Sequence, residues 1–132
     1  MLAFVSACSG ATAVPDEPAI SRMELRIDDV LMVTVQANGA ITGGGLRLRR
    51  NLPASLQATF RDADGRVVAD EGDFRLEFVP ENAAILSFTR TAAKRGMLTG
   101  TIISSTTARA RLYHVSRNHD DFPERAVVVS VE

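Results

Sequence analysis

The feature that most constrains this chain is an alternation of apolar and polar residues with period two, which begins near Ile20 and recurs to the C-terminus. Successive side chains of an extended strand point to opposite faces, so this pattern lays one face on a core and turns the other to water. Met23, Leu25 and Ile27 alternate with Glu24, Arg26 and Asp28, and Leu31, Val33 and Val35 continue the rule through residues 30–36. Leu56, Ala58 and Phe60 alternate with Gln57, Thr59 and Arg61, and Phe74, Leu76 and Phe78 alternate with Arg75 and Glu77. Further strands are expected at residues 46–49, 66–69, 85–89, 97–104, 106–115 and 126–131. In the segment 106–115, Ala108, Ala110 and Leu112 are expected to face inward, with Arg109, Arg111 and Tyr113 outward.

Turn signals separate these runs. Asp28-Asp29 breaks the first, and Asn38-Gly39 carries the residue types that tolerate the positive φ angles of a type I′ turn. Gly43-Gly44-Gly45 reads as a flexible joint or bulge, Asp62-Ala63-Asp64-Gly65 as a tight turn, and Pro80-Glu81-Asn82 as another. Residues 91–96 read as a loop with Lys94 and Arg95 exposed at its tip, Ser104-Ser105 as an interruption, and Pro123 as the residue before the last strand. No window longer than a turn or two favours a helix. Eight to ten short strands with such spacing predict an all-β chain folded as an antiparallel β-sandwich over residues 20–132.

Composition is compatible with one ordinary globular domain: 132 residues, 45% hydrophobic and 23% charged. Fifteen basic residues against sixteen acidic ones leave a net charge of −1, which is no electrostatic footprint for nucleic acid. Aromatic residues are 5% of the chain, with no Trp, so few rings are available as stacking platforms for sugars or single strands. The single cysteine excludes an internal disulfide and a Cys-rich metal cluster.

That cysteine sits in Val5-Ser6-Ala7-Cys8, which resembles the lipobox of bacterial lipoproteins: an aliphatic residue, two small residues, and the cysteine that receives diacylglycerol. Signal peptides begin with a positive charge and an apolar stretch of about 7–15 residues. Here the apolar part is only Leu2 to Val5, the last of which opens the box, and no Lys or Arg precedes it, so residues 1–7 are read as the end of a truncated signal peptide. The resemblance implies cleavage before Cys8, a membrane anchor through lipid on its thiol, and, with Ser9 rather than Asp next, sorting to the outer membrane. Residues 9–19 carry two prolines among small and acidic residues and read as a flexible tether, so residues 1–19 are leader and tether.

Residues 55–132 resemble a bacterial Ig-like domain. The likeness is carried by Asp62-Ala63-Asp64-Gly65-Arg66-Val67-Val68, a Phe-containing strand, Gly96-Met97-Leu98-Thr99-Gly100, the small-residue run 106–110 and a terminal Val-x-Val strand. Ser105 stands where such domains usually carry Gly, and the Cys and Trp hallmarks of antibody-type domains are missing, so the likeness is architectural. It implies a spacer, an adhesin module or a binding surface rather than a particular activity.

The strongest chemical constellation is His114-Val115-Ser116-Arg117-Asn118-His119-Asp120-Asp121, which holds both histidines of the chain. Imidazole with carboxylate is a ligand set for zinc, copper or nickel, so His114, His119, Asp120 and Asp121 are the candidate ligand-binding residues. The competing reading is a solvated loop between the last two strands, with His114 completing the inward face after Leu112. Asp62-x-Asp64-Gly65 resembles the start of a calcium loop, but its twelfth position is Asp73 rather than Glu, and a hairpin turn explains it more simply. Ser104, Ser105, Thr106 and Thr107 have no flanking base, and Asp28 and Asp29 would face opposite ways in a strand. The triple glycine precedes a strand pattern rather than a phosphate-cradling helix. Arg47, Arg49, Arg50, Arg109 and Arg111 read as a solvated face.

No catalytic residue and no cofactor is therefore assigned from sequence. The expected function is that of a non-enzymatic cell-envelope lipoprotein domain with a structural or protein-interaction role. The alternative is a metal- or small-ligand-binding sandwich that uses the 114–121 loop.

Overall fold

The computed structural model describes residues 19–69 and 72–132. Leader, lipobox and most of the tether, Cys8 included, lie outside the described residues, as do Asp70 and Glu71. The strands are β1 (Arg22–Ile27), β2 (Val30–Gln36), β3 (Ile41–Thr42), β4 (Leu46–Leu48), β5 (Ala54–Arg61), β6 (Val67–Val68), β7 (Phe74–Pro80), β8 (Leu86–Ala92), β9 (Arg95–Gly100), β10 (Ser104–His114) and β11 (His119–Val131). The described residues contain no helix. Without the two-residue strands β3 and β6, nine strands remain, within the eight to ten expected from the alternation.

They form two sheets. The larger has the order β3-β2-β1-β5-β9-β8, with β6 also paired to β5; the smaller has the order β4-β11-β10-β7. Pairing is antiparallel throughout except between β4 and β11, which run parallel. The inward residues of both sheets make one continuous core. Phe60 of the larger sheet meets Phe122 of the smaller with ring centroids 5.8 Å apart, and Phe78 meets Phe88 at 5.3 Å. Both are tilted ring pairs, the arrangement an aromatic quadrupole favours. The sandwich is thus closed by the same residues whose alternation marks the strands.

The connections explain where the sequence expectations shift by a few residues. Ile27 pairs directly with Val30, so Asp28 and Asp29 are the two-residue hairpin loop, with φ of 49° and 69°. Positive φ at both central residues is the type I′ requirement, so this turn lies at Asp28-Asp29 and not at Asn38-Gly39, where only Gly39 has positive φ. Gly43 and Gly45 carry the chain from the larger sheet to the smaller, at φ of 97° and 93°. A Cβ on Gly43 would sit 2.1 Å from the Met32 carbonyl oxygen, and one on Gly45 2.7 Å from that of Val128. The joint therefore requires glycine for space as well as for φ.

β8 runs on to Ala92 and β9 starts at Arg95, which leaves a two-residue turn in place of the loop expected over residues 91–96. Lys94 is half-buried rather than exposed, and its Nζ donates to the Ala69 carbonyl at 2.7 Å. The interruption expected at Ser104-Ser105 falls at residues 101–103 instead, and β10 begins at Ser104. β11 is the largest departure: it starts at His119, not Ala126, and runs through Pro123. Two register shifts against β10 allow this. Arg125 and Phe122 face Ala110 and Leu112, which inserts one extra residue around Pro123 and Glu124; Phe122 and Asp120 face Leu112 and Tyr113, which leaves Asp121 as a second extra residue. Proline lacks the N–H that a ladder needs, and a bulge is one of the places within a sheet that accepts it.

The registers also fix direction. β1 starts at one pole, where Ser21 donates to the Arg61 carbonyl at 2.9 Å, and the same pole holds the start of β7 and the β10–β11 hairpin. At the other pole Val131 pairs with Ser104 and Leu48, and Arg50 donates to the Glu132 carbonyl.

Candidate functional site

The sequence-predicted constellation lies at the pole where β1 starts. His114 is the last residue of β10 and pairs with His119 across the hairpin on one side and with Phe74 of β7 on the other. Only residues 115–118 are loop; His119, Asp120 and Asp121 belong to β11 rather than to a loop. The loop closes tightly, with Asn118 at φ of 54° and its N–H directed to the Val115 carbonyl.

Strand alternation sends His114 inward after Leu112, and its side chain is only 8% exposed. Asp121 reaches the same place by the bulge: as the extra residue between the Leu112 and Tyr113 partners it turns inward, and its side chain is 5% exposed. Its Oδ2 lies 2.8 Å from His114 Nδ1, and its Oδ1 lies 2.9 Å from His119 Nε2. The two imidazole rings are perpendicular, with centroids 5.5 Å apart. Phe74 lies against the other face of the pocket, 4.3 Å from the His114 ring centroid.

Asp120 does not join them. Opposite Tyr113, it takes the outward face and accepts a hydrogen bond from Arg111 at 3.0 Å. Three of the four predicted residues converge, and one is an ordinary cross-strand ion pair. The fourth member of the cluster is Asp73, just before β7, whose Oδ2 is 2.9 Å from His114 Nε2. Asp73 also accepts from the Ser116 hydroxyl at 2.6 Å and from the Ser116 N–H at 3.1 Å. The hydroxyl bond of Ser116 is the largest influence on its carboxyl, followed by opposing burial, then by the Ser116 N–H and His114; the net effect holds it below its usual value. Nothing local in the sequence announces Asp73, because it is 41 residues from His114 and is delivered by the β7–β10 register.

An ionised Asp73 is an acceptor only, so His114 Nε2 carries the hydrogen of their bond. That leaves Nδ1 facing the buried Asp121 Oδ2 at 2.8 Å. His114, His119 and Asp121 each offer a ligand atom, and these atoms all lie within 4.8 Å of one another. The cluster is therefore a place for a shared proton or a metal cation. It is not a nucleophile–base pair: Ser116 Oγ donates to a carboxylate rather than to an imidazole.

The other sequence candidates resolve as structural groups. Asp62 Oδ1 accepts the N–H groups of Asp64 and Arg66, both at 2.9 Å, which makes the Asp62–Gly65 segment a side-chain-capped turn. Ser105 and Ser130 hydroxyls meet at 3.3 Å across β10 and β11. Arg47, Arg109 and Arg111 are interleaved with Glu132, Glu81 and Asp120. A buried charge the sequence reading missed is Glu24, on the outer face of β1, gripped by Arg22, Arg26 and Arg61 at 3.1–3.2 Å. Burial opposes its ionisation, yet the hydrogen bonds from Arg61, Arg22 and Arg26 outweigh it and hold the carboxyl below its usual value.

These observations define an all-β sandwich with a histidine–carboxylate cluster at one pole. Comparison with family models and with curated protein sequences gives no match. Among solved structures, domains 4 and 5 of the S-layer protein SbsC are a weak structural neighbour, at 12% identity and a TM-score of 0.49. The similarity covers 85% of this chain and 53% of that structure, so the chain spans about half of it.

Proposed function

We propose that this chain is a non-enzymatic, Ig-like domain of a bacterial cell-envelope lipoprotein, anchored through lipid on Cys8 and acting as a spacer or docking module at the outer membrane. The observation that carries the reading is the course of the chain. The Cys8 box and the proline-containing tether lead into β1 at one pole, and β11 ends at the opposite pole. A sandwich whose first strand starts at one pole and whose last strand ends at the other can hold two attachment points apart by its length. The single core shared by both sheets supports a rigid spacer, because close-packed interiors transmit load with little deformation. Protein partners at the envelope are the expected ligands, and nucleic acid is not.

The test is expression of the gene from its native start in a lipoprotein-processing bacterium, followed by intact mass of the membrane-extracted protein beside a Cys8→Ala variant. A mass that begins at Cys8 and includes lipid, lost in the variant, is the expected result. A soluble, unmodified product in both strains would overturn the anchor.

A further inference from the structure

We propose that His114, His119 and Asp121 form a binding site for a borderline divalent transition cation, zinc above all, with Asp73 orienting His114 from behind. This goes beyond the spacer reading and does not depend on the lipid anchor. Four observations carry it.

The ligand set is two imidazoles and one carboxylate, which suits zinc and its neighbours and not the all-oxygen shells of calcium or magnesium. The ligand atoms already lie within 4.8 Å of one another. Zinc bonds of about 2.0–2.2 Å need ligand atoms no more than roughly 4.2 Å apart, so small side-chain rotations suffice. Asp73 provides the partner that metal-bound histidines usually have: a carboxylate on the far nitrogen that fixes the tautomer. With hydrogen on Nε2, His114 Nδ1 is the nitrogen turned to Asp121, whose side chain is only 5% exposed. Nδ1 and Oδ2 lie 2.8 Å apart, close enough for both to bind one cation in place of a proton shared between them.

The site is also accessible. His119 is 41% exposed while His114 and Asp121 are buried, so a cation would enter past the His119 ring. The β11 bulge sets Asp121 and Phe122 side by side on the inward face, so that Asp121 meets His114 while Phe122 enters the core.

The test is zinc titration of the untagged full-length chain against a chromophoric chelator, with Cys8→Ala as the background so that the thiol cannot contribute. One zinc per chain is expected, with magnesium unable to compete at millimolar concentration. His119→Ala, which removes an exposed side chain and spares the core, is expected to weaken binding at least tenfold, and Asp121→Asn likewise. Asp73→Asn, which touches the metal set through His114 and not directly, is expected to weaken it by about 10- to 100-fold. Thermal melts confirm that each variant is folded, and His119→Gln serves where His119→Ala is not. No zinc uptake up to millimolar concentration, equal competition by magnesium, or affinity unchanged in both His119→Ala and Asp121→Asn would overturn the proposal.

Discussion

Asp121 Oδ2 lies 2.8 Å from His114 Nδ1 because β11 carries one residue more than β10 at that point. The relationship is topological before it is chemical. His114 is placed by alternation along β10, and Asp121 lies at the bulge of β11, where it and Phe122 both face inward. Their meeting, with His119, gives the described residues a group of three side chains that could hold a metal ion.

The bulge also sets a packing prediction. It turns Phe122 into the core, where it is fully buried against Phe60. Phe122→Ala is expected to cost about 3–5 kcal/mol of unfolding free energy in urea, the usual range for emptying an aromatic core site. A loss below about 1 kcal/mol would mean that Phe122 is not the inter-sheet contact described.

Glu24 is the second prediction. Its side chain is 10% exposed and holds three guanidinium groups whose side chains are 25–31% exposed. Glu24→Gln removes the one charge that reconciles them. Deleting one partner of a fully buried ion pair costs about 3–5 kcal/mol, and partial solvent screening of the arginines reduces this to about 1–3 kcal/mol. Equilibrium unfolding at neutral pH reads the difference directly.

The same residue predicts a pH dependence. The Glu24 carboxyl is held below its ordinary value of 4.5 in the folded state, so as pH falls the unfolded chain takes up the proton first. Its contribution is therefore complete above about pH 4.5 and is lost as pH falls toward and through the folded-state value. Unfolding free energy measured from pH 7 downward should fall less steeply in Glu24→Gln than in the wild type. Parallel curves would contradict the arginine clamp.

A fourth prediction separates two adjacent glycines. Gly45 has φ of 93°, and a Cβ there would lie 2.7 Å from the Val128 carbonyl oxygen, whereas a Cβ on Gly44 meets nothing within 4 Å. Gly45→Ala is expected to destabilise by about 1–3 kcal/mol, and Gly44→Ala to stay within about 0.5 kcal/mol. Thermal melts of the two variants side by side make the comparison.

How far the fold was legible follows from these same residues. The alternation in β1, β5 and β7 announces strands and their buried faces, because one face of each packs on the core. The start of β11 was hidden, because its bulges put Phe122 and Val127, five positions apart, on one face, and Pro123 between them reads as a stop. The type I′ turn was misplaced because Asn-Gly is the commoner carrier of positive φ than Asp-Asp. His114, His119 and Asp121 were legible as a residue cluster, while the outward turn of Asp120 depended on register. Asp73 and the closure of the Glu24 clamp were not legible, since Asp73 and Arg61 are each brought in by strand pairing from a distant segment.

The most direct measurement is a crystal of the Cys8→Ala chain soaked in zinc and recorded at the zinc absorption edge. A single anomalous peak bounded by His114 Nδ1, the His119 ring and the Asp121 carboxylate, with Asp73 still on His114 Nε2, is the predicted result. An empty cluster with zinc bound elsewhere, or no anomalous peak at all, would contradict it.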